Sequence, residues 1–248
     1  MTVVALLAKP PQPGVVLPEL TDSTPLNAAE AADLYAAMLE DAMRTVLDSG
    51  GELLVNYRPV ETLPEYEAEE TVEAQLRGIA ATATEAVDAI RFEPQVGATS
   101  SARVGNTIAH LLEEEQASSA AVLRPETPLL ERTHLDSMAM KLRTNDVVLG
   151  PAADGGWYAA GFSAPIDFED VLEGRPLETL TERASEDDRT VEFESMLPTL
   201  DSEAGLATVL SMLQARTHAD RPVPAATTAM VEQLGIELSA DGEILRRE

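Results

Sequence analysis

The chain has 248 residues, 44% of them apolar, enough to bury a substantial core. Its 17 Lys and Arg face 44 Asp and Glu, a formal net charge of −27 that disfavours nucleic acid and anionic membranes as partners. There is no cysteine, which excludes disulfides, thiolate catalysis and Cys-ligated zinc.

The apolar run Val3–Ala8 predicts a buried first strand. Lys9-Pro10-Pro11-Gln12-Pro13-Gly14 closes it, too proline-rich for a central strand and readable as a stiff loop. Asn27 with Glu30 three residues on has capping-box spacing. The helix it opens carries Leu34, Met38, Ala42 and Val46 on one face and stops at Gly50-Gly51. Leu53–Tyr57 is a second strand, Thr71–Ala81 a helix and Ile90–Phe92 a short strand. Val104, Ile108, Leu111 and Leu112 mark another amphipathic helix, which ends in Glu113-Glu114-Glu115.

Ala120–Leu123 predicts a strand, Leu135–Leu142 a helix and Asp146–Leu149 the next strand. Beyond Phe162 the pattern predicts a helix over Leu177–Ala184 and a strand over Thr190–Phe193. A helix follows over Ser202–Gln214 with Ser202 as N-cap, and another over Thr227–Leu234. The tail predicts a small hairpin around Asp241-Gly242. Strands alternating with helices imply an α/β chain with a mostly parallel central sheet and helices on both faces. One domain over residues 1–248 is the expected organisation, with 207–248 as a helical and hairpin extension.

The most informative stretch is Val147–Phe162. An apolar run ends in Gly150-Pro151, the small turn Ala152-Ala153-Asp154-Gly155-Gly156 follows, and a second apolar run begins at Trp157. Two glycines after an aspartate let backbone approach a ligand closely, and open α/β sheets hold ligands beyond strand ends. The same pattern is also a strong hairpin signal.

The acidic excess, with lysine only at 9 and 141, points to a halophile's cytoplasm, since concentrated salt screens self-repulsion. No signal peptide or membrane span is expected. His110, His134 and His218 share no metal-ligand spacing and are expected to be structural or exposed.

Three segments give the chain a family resemblance over roughly 1–206: Ala8-Lys9-Pro10-Pro11 with Pro13-Gly14, Thr127-Pro128 after the Ala120–Leu123 strand, and Val147–Gly161. Together they resemble the small nucleotide-diphospho-sugar transferase-like proteins, which include homologues of arsenosugar-biosynthesis glycosyltransferases. Guanylyltransferases of molybdenum cofactor and phospholactate metabolism are more distantly similar. The resemblance implies a Rossmann-like GT-A fold acting on a nucleotide or nucleotide-sugar and a small acceptor.

It implies nucleotide binding by Lys9, Pro11, Gly14, Gln95 and Gly97, and a metal site, Mg²⁺ or Mn²⁺, at Glu126 and Asp201. Asp154 would be catalytic, with Gly155, Gly156 and Trp157 shaping the substrate pocket. Each has an ordinary alternative. Lys9 is also readable as a surface lysine, Glu126 as an ion-pair partner of Arg124, and Asp201 as a helix cap. The chain departs from the family in three places. Val15–Leu20 has no Lys or Arg where a basic segment belongs, Gly105-Asn106-Thr107 lacks an expected arginine, and Glu126 replaces an aspartate. A non-catalytic descendant that binds a small molecule or a protein is therefore the alternative to a transferase.

Overall fold

A computed structural model describes residues 2–63, 70–239 and 241–246, with the Asp154 side chain outside the described set. Seven strands form the main sheet: β1 (Thr2–Ala8), β2 (Glu52–Tyr57), β3 (Arg91–Pro94), β4 (Ser119–Leu123), β5 (Val147–Pro151), β6 (Trp157–Phe162) and β7 (Val191–Phe193). Their order is β3-β2-β1-β4-β6-β5-β7. β6 runs antiparallel to both its neighbours, and the other pairs are parallel. This is the mostly parallel, Rossmann-like GT-A sheet that the sequence predicts.

The helices are α1 (Pro18–Ser23), α2 (Ala28–Ser49), α3 (Val72–Ala83), α4 (Ser100–Ala109), α5 (Arg132–Lys141), α6 (Pro176–Glu186), α7 (Glu203–His218) and α8 (Ala225–Leu234). Two apolar clusters show which face of the sheet each covers. Val4, Leu6 and Ala8 of β1 pack with residues of α2, α3, α5, α7 and α8. Val3 and Ala5 of the same strand pack with α4, α6 and Val171 on the other side. Alternate side chains of a strand point to opposite faces, so a strand covered twice reads as an unbroken apolar run. Each fully buried Leu or Met in these clusters contributes roughly 1.5–3 kcal/mol.

Local sequence sets the helix ends. Asn27 accepts from the N–H groups of Ala29 and Glu30, and Glu30 accepts from the N–H of Asn27 at 2.9 Å, which completes the capping box of α2. Gly50, at φ 73°, ends that helix in the left-handed region. β8 (Ile236–Leu238) and β9 (Ile244–Arg246) form the terminal hairpin, and Arg246 pairs with Glu30 of α2. The buried carboxylate of Asp41 on α2 accepts from the N–H groups of Ala226 and Thr227 in the first turn of α8. No described helix is long and apolar enough to cross a membrane.

Candidate functional site

Strand order reverses between β1 and β4: β1 is followed in sequence by its neighbour β2, while its other neighbour is β4. Such a switch point opens a crevice beyond the carboxyl ends of the strands. Lys9 directly follows β1 and Arg124 directly follows β4, so one cation flanks each side of the crevice. A hollow of about 560 Å³ lies there, within the range of small-molecule sites. Lys9, Glu19, Arg124, Glu126, Gly156 and Asp201 are among the residues that line it.

Arg124 organises the floor. Its Nη2 donates to Asp201 Oδ2 at 2.6 Å, its Nη1 donates to the Trp157 carbonyl at 3.2 Å, and its Nε lies 3.5 Å from Glu126 Oε2. Burial alone would lower the pKa of this guanidinium. The Glu126 and Asp201 carboxylates outweigh burial and hold it above its ordinary value. Thr199 Oγ1 donates to Asp201 Oδ1 at 2.9 Å, so both oxygens of Asp201 are engaged. Ser202, not Asp201, caps α7 by accepting from the N–H of Gly205. The fully buried Tyr35 of α2 accepts the Lys9 N–H at 3.0 Å and anchors the start of the proline loop. Burial raises the Tyr35 pKa first, with a further push from Glu126, so its hydroxyl stays protonated.

The Glu126 and Asp201 pair, as folded, does not fit a divalent cation. Mg²⁺ demands near-octahedral oxygen ligands at about 2.0–2.1 Å. Here the guanidinium already bridges the two carboxylates, and Thr199 takes the remaining Asp201 oxygen. A set of groups able to hold a cation does occur at Glu93, His110 and Glu115, whose ligand atoms lie within 4.8 Å of one another. Arg91 pairs with both of those carboxylates and with Glu52. Glu52 opens β2 and Arg91 opens β3, so this network sits toward the opposite end of the strands from Lys9.

The other expected residues are scattered. Pro11 lines a larger groove of about 860 Å³ between α2, α3 and α8, whose charged lining residues are the acids Asp33, Glu40 and Glu70. Gly14 lies outside the hollow, with φ 78° and open space around it. Gln95 is buried and donates to the Asn56 carbonyl, which makes it a brace between strand ends. Gly97, at φ 139°, packs against the first turn of α4, where a Cβ would meet the Arg103 nitrogen at 2.8 Å. Trp157 is no pocket wall, because its ring belongs to the core on the α4 and α6 side.

The Asp-Gly-Gly corner is a hairpin turn that also borders the hollow. β5 and β6 are an antiparallel pair joined by this turn, and Ala152, Ala153 and Gly156 of the turn line the hollow. Only Gly155 uses positive φ, at 75°; Gly156 sits at −75°. The Asp154 side chain lies outside the described residues.

Two cations at this edge escaped sequence reasoning. Arg58 directly follows β2, and its N–H donates to the Ala8 carbonyl. Arg103 of α4 is buried beneath the loop after β3, donating to Ser100 and to the carbonyls of Gly97 and Ala98. Burial, then the neighbouring Arg58, lowers the Arg103 pKa. Among the described residues neither has a carboxylate within ion-pair distance. The signal was available: Lys9, Arg58 and Arg124 each stand directly after a predicted buried strand in a chain with 17 basic residues.

The fold has known relatives. A protein from Desulfovibrio desulfuricans G20, provisionally named a nucleotide-diphospho-sugar transferase, superposes with a TM-score of 0.73 at 18% identity, over 94% of this chain and 97% of that one. A CMP:2-keto-3-deoxy-manno-octonic acid synthetase complexed with CTP superposes at 0.51 with 10% identity, over 87% of this chain and 99% of that one. These likenesses show a shared fold, the mostly parallel Rossmann-like GT-A sheet flanked by helices. A family described as "Uncharacterized protein conserved in bacteria (DUF2064)" matches residues 64–179. No curated protein matches the chain.

Proposed function

We propose that this chain is a transferase acting on a nucleotide-activated donor, moving a glycosyl or nucleotidyl group to a small acceptor. The observation that carries the reading is the gathering of Lys9, Arg58, Arg103 and Arg124 at the carboxyl ends of four adjacent parallel strands. In a chain of net charge −27, cations at a switch-point crevice suit the phosphates of a donor. Lys9, its backbone held by Tyr35, and the N–H groups of Arg124 that have no partner among the described residues would orient the phosphates in the hollow. The Ala152–Gly156 turn, with Asp154, would form the acceptor side. We propose the arsenosugar-type and guanylyltransferase lineages as candidates for its chemistry, within one domain and in a salt-rich cytoplasm.

Two observations favour a second reading, a descendant that binds without catalysing. Arg124 is shared with two carboxylates, and Val15–Leu20 supplies no basic clamp. Thermal melts in about 2 M KCl, with and without Mn²⁺, against UDP-, GDP-, CDP- and ADP-sugars and the matching nucleotides separate the two. A donor at about 100 times its Kd should stabilise the fold by ~2.7 kcal/mol, a rise of roughly 5–10 °C. A shift with product release on adding acceptor supports the transferase, a shift without turnover supports the binding protein, and no shift with any donor refutes both.

A further inference from the structure

We propose that Arg124 stands in for a divalent cation, so that this cleft binds the phosphates of its ligand without a metal. The inference rests on the reading above that the ligand carries phosphates. Glu126 and Asp201 come from different parts of the fold, one three residues after β4 and the other ahead of α7, and converge on the Arg124 guanidinium. That point is filled from within the chain. The guanidinium reaches Asp201 at 2.6 Å and Glu126 at 3.5 Å, and the Trp157 carbonyl fixes its other arm at 3.2 Å.

An arginine carries five N–H donors in a rigid planar fork and keeps its charge at every physiological pH. Hydrogen bonds to Asp201 and Trp157 commit two of them, and the Nε–H faces Glu126 in an ion pair. Among the described residues the other two have no partner, and Arg124 lines the same hollow as Lys9. The two carboxylates hold the fork still, and planar bidentate recognition of phosphate is what a held guanidinium offers.

Calorimetry at constant KCl, with inorganic pyrophosphate and Mn²⁺ as probes, tests this. In the wild type, pyrophosphate should bind equally well in EDTA and in Mn²⁺. Arg124→Gln should weaken pyrophosphate binding in EDTA by about tenfold or more, and the freed carboxylates should then gain Mn²⁺ binding that restores it. Should that variant not fold, Glu126→Gln with Asp201→Asn leaves Arg124 in place and should keep pyrophosphate binding independent of Mn²⁺. Pyrophosphate binding that requires Mn²⁺ in the wild type and is lost in Glu126→Gln would overturn the proposal, as would unchanged binding to Arg124→Gln in EDTA. If pyrophosphate binds the wild type in neither buffer, the phosphate-ligand reading fails. Mn²⁺ alone then decides the role of Arg124: a Mn²⁺ site gained in Arg124→Gln upholds it as the resident cation, and no gain overturns it.

Discussion

Replacing Gly150 with alanine should destabilise the protein although the residue does not use a positive φ. Gly150 of β5 pairs with Ala159 of β6, and the neighbouring Tyr158 lays its ring against the glycine. A Cβ there would meet the ring at 2.6 Å from Cζ and 2.8 Å from both Cε atoms, closer than real Cβ contacts come. The ring has nowhere to go, since Tyr158 is 1% exposed and its hydroxyl donates to the Ser195 carbonyl at 3.1 Å. Burial, with Glu194 nearby, keeps the Tyr158 pKa above its ordinary value, so the phenol remains a donor. Alanine would gain about 0.4–1 kcal/mol by restricting the unfolded chain. Overpacking costs about 1–3 kcal/mol, and a lost hydrogen bond about 1 kcal/mol more. The net is a loss of about 2 kcal/mol, or roughly 4–8 °C in Tm. Urea melts followed by Trp157, the single and buried tryptophan, measure it directly. A neutral or stabilising Gly150→Ala would refute the claim that this glycine exists to seat the ring.

Asp41→Ala would strip the two N–H groups at the start of α8 of their acceptor, costing about 2–3 kcal/mol; hydrogen exchange should show α8 opening first, and unchanged protection there would count against the tie. Glu30 is held at about pKa 2 from an ordinary 4.5, by the Arg246 hydrogen bond first and then by the Asn27 N–H. Its folded-state pKa is depressed, so its contribution is full above pH ~4.5 and is lost as pH falls toward ~2. The stability gap between wild type and Glu30→Gln should therefore close over that window, and a constant gap would be inconsistent with the pairing. With a net charge of −27, the fold should also loosen when KCl is lowered below roughly 0.5 M, as circular dichroism would register; full stability in dilute buffer would contradict the halophile assignment.

The sheet and its covering helices were legible because strands buried on both faces read as continuous apolar runs, and because Asn27 and Ser202 sit where caps belong. The short α1 was not. Its one fully buried contact is Leu20, and six residues show no helical period. For the same reason Trp157 was misplaced, since in a doubly covered strand no alternation tells which face a side chain takes. Gln95 looked free because its partner, the Asn56 carbonyl, lies on another strand. Lys9, Glu126 and Asp201 could be picked out from the resemblance, but that Arg124 would sit between the two acids depends on a loop 77 residues away.

Calorimetric titration of the nucleotide-sugar panel into wild type and Lys9→Met, in molar KCl, probes the phosphate cleft most directly. The account predicts that one donor binds the wild type and that Lys9→Met weakens it by about tenfold, ~1.4 kcal/mol, with the melting curve unchanged. Undiminished affinity in Lys9→Met would place the ligand elsewhere and contradict the cleft at the β1–β4 switch point.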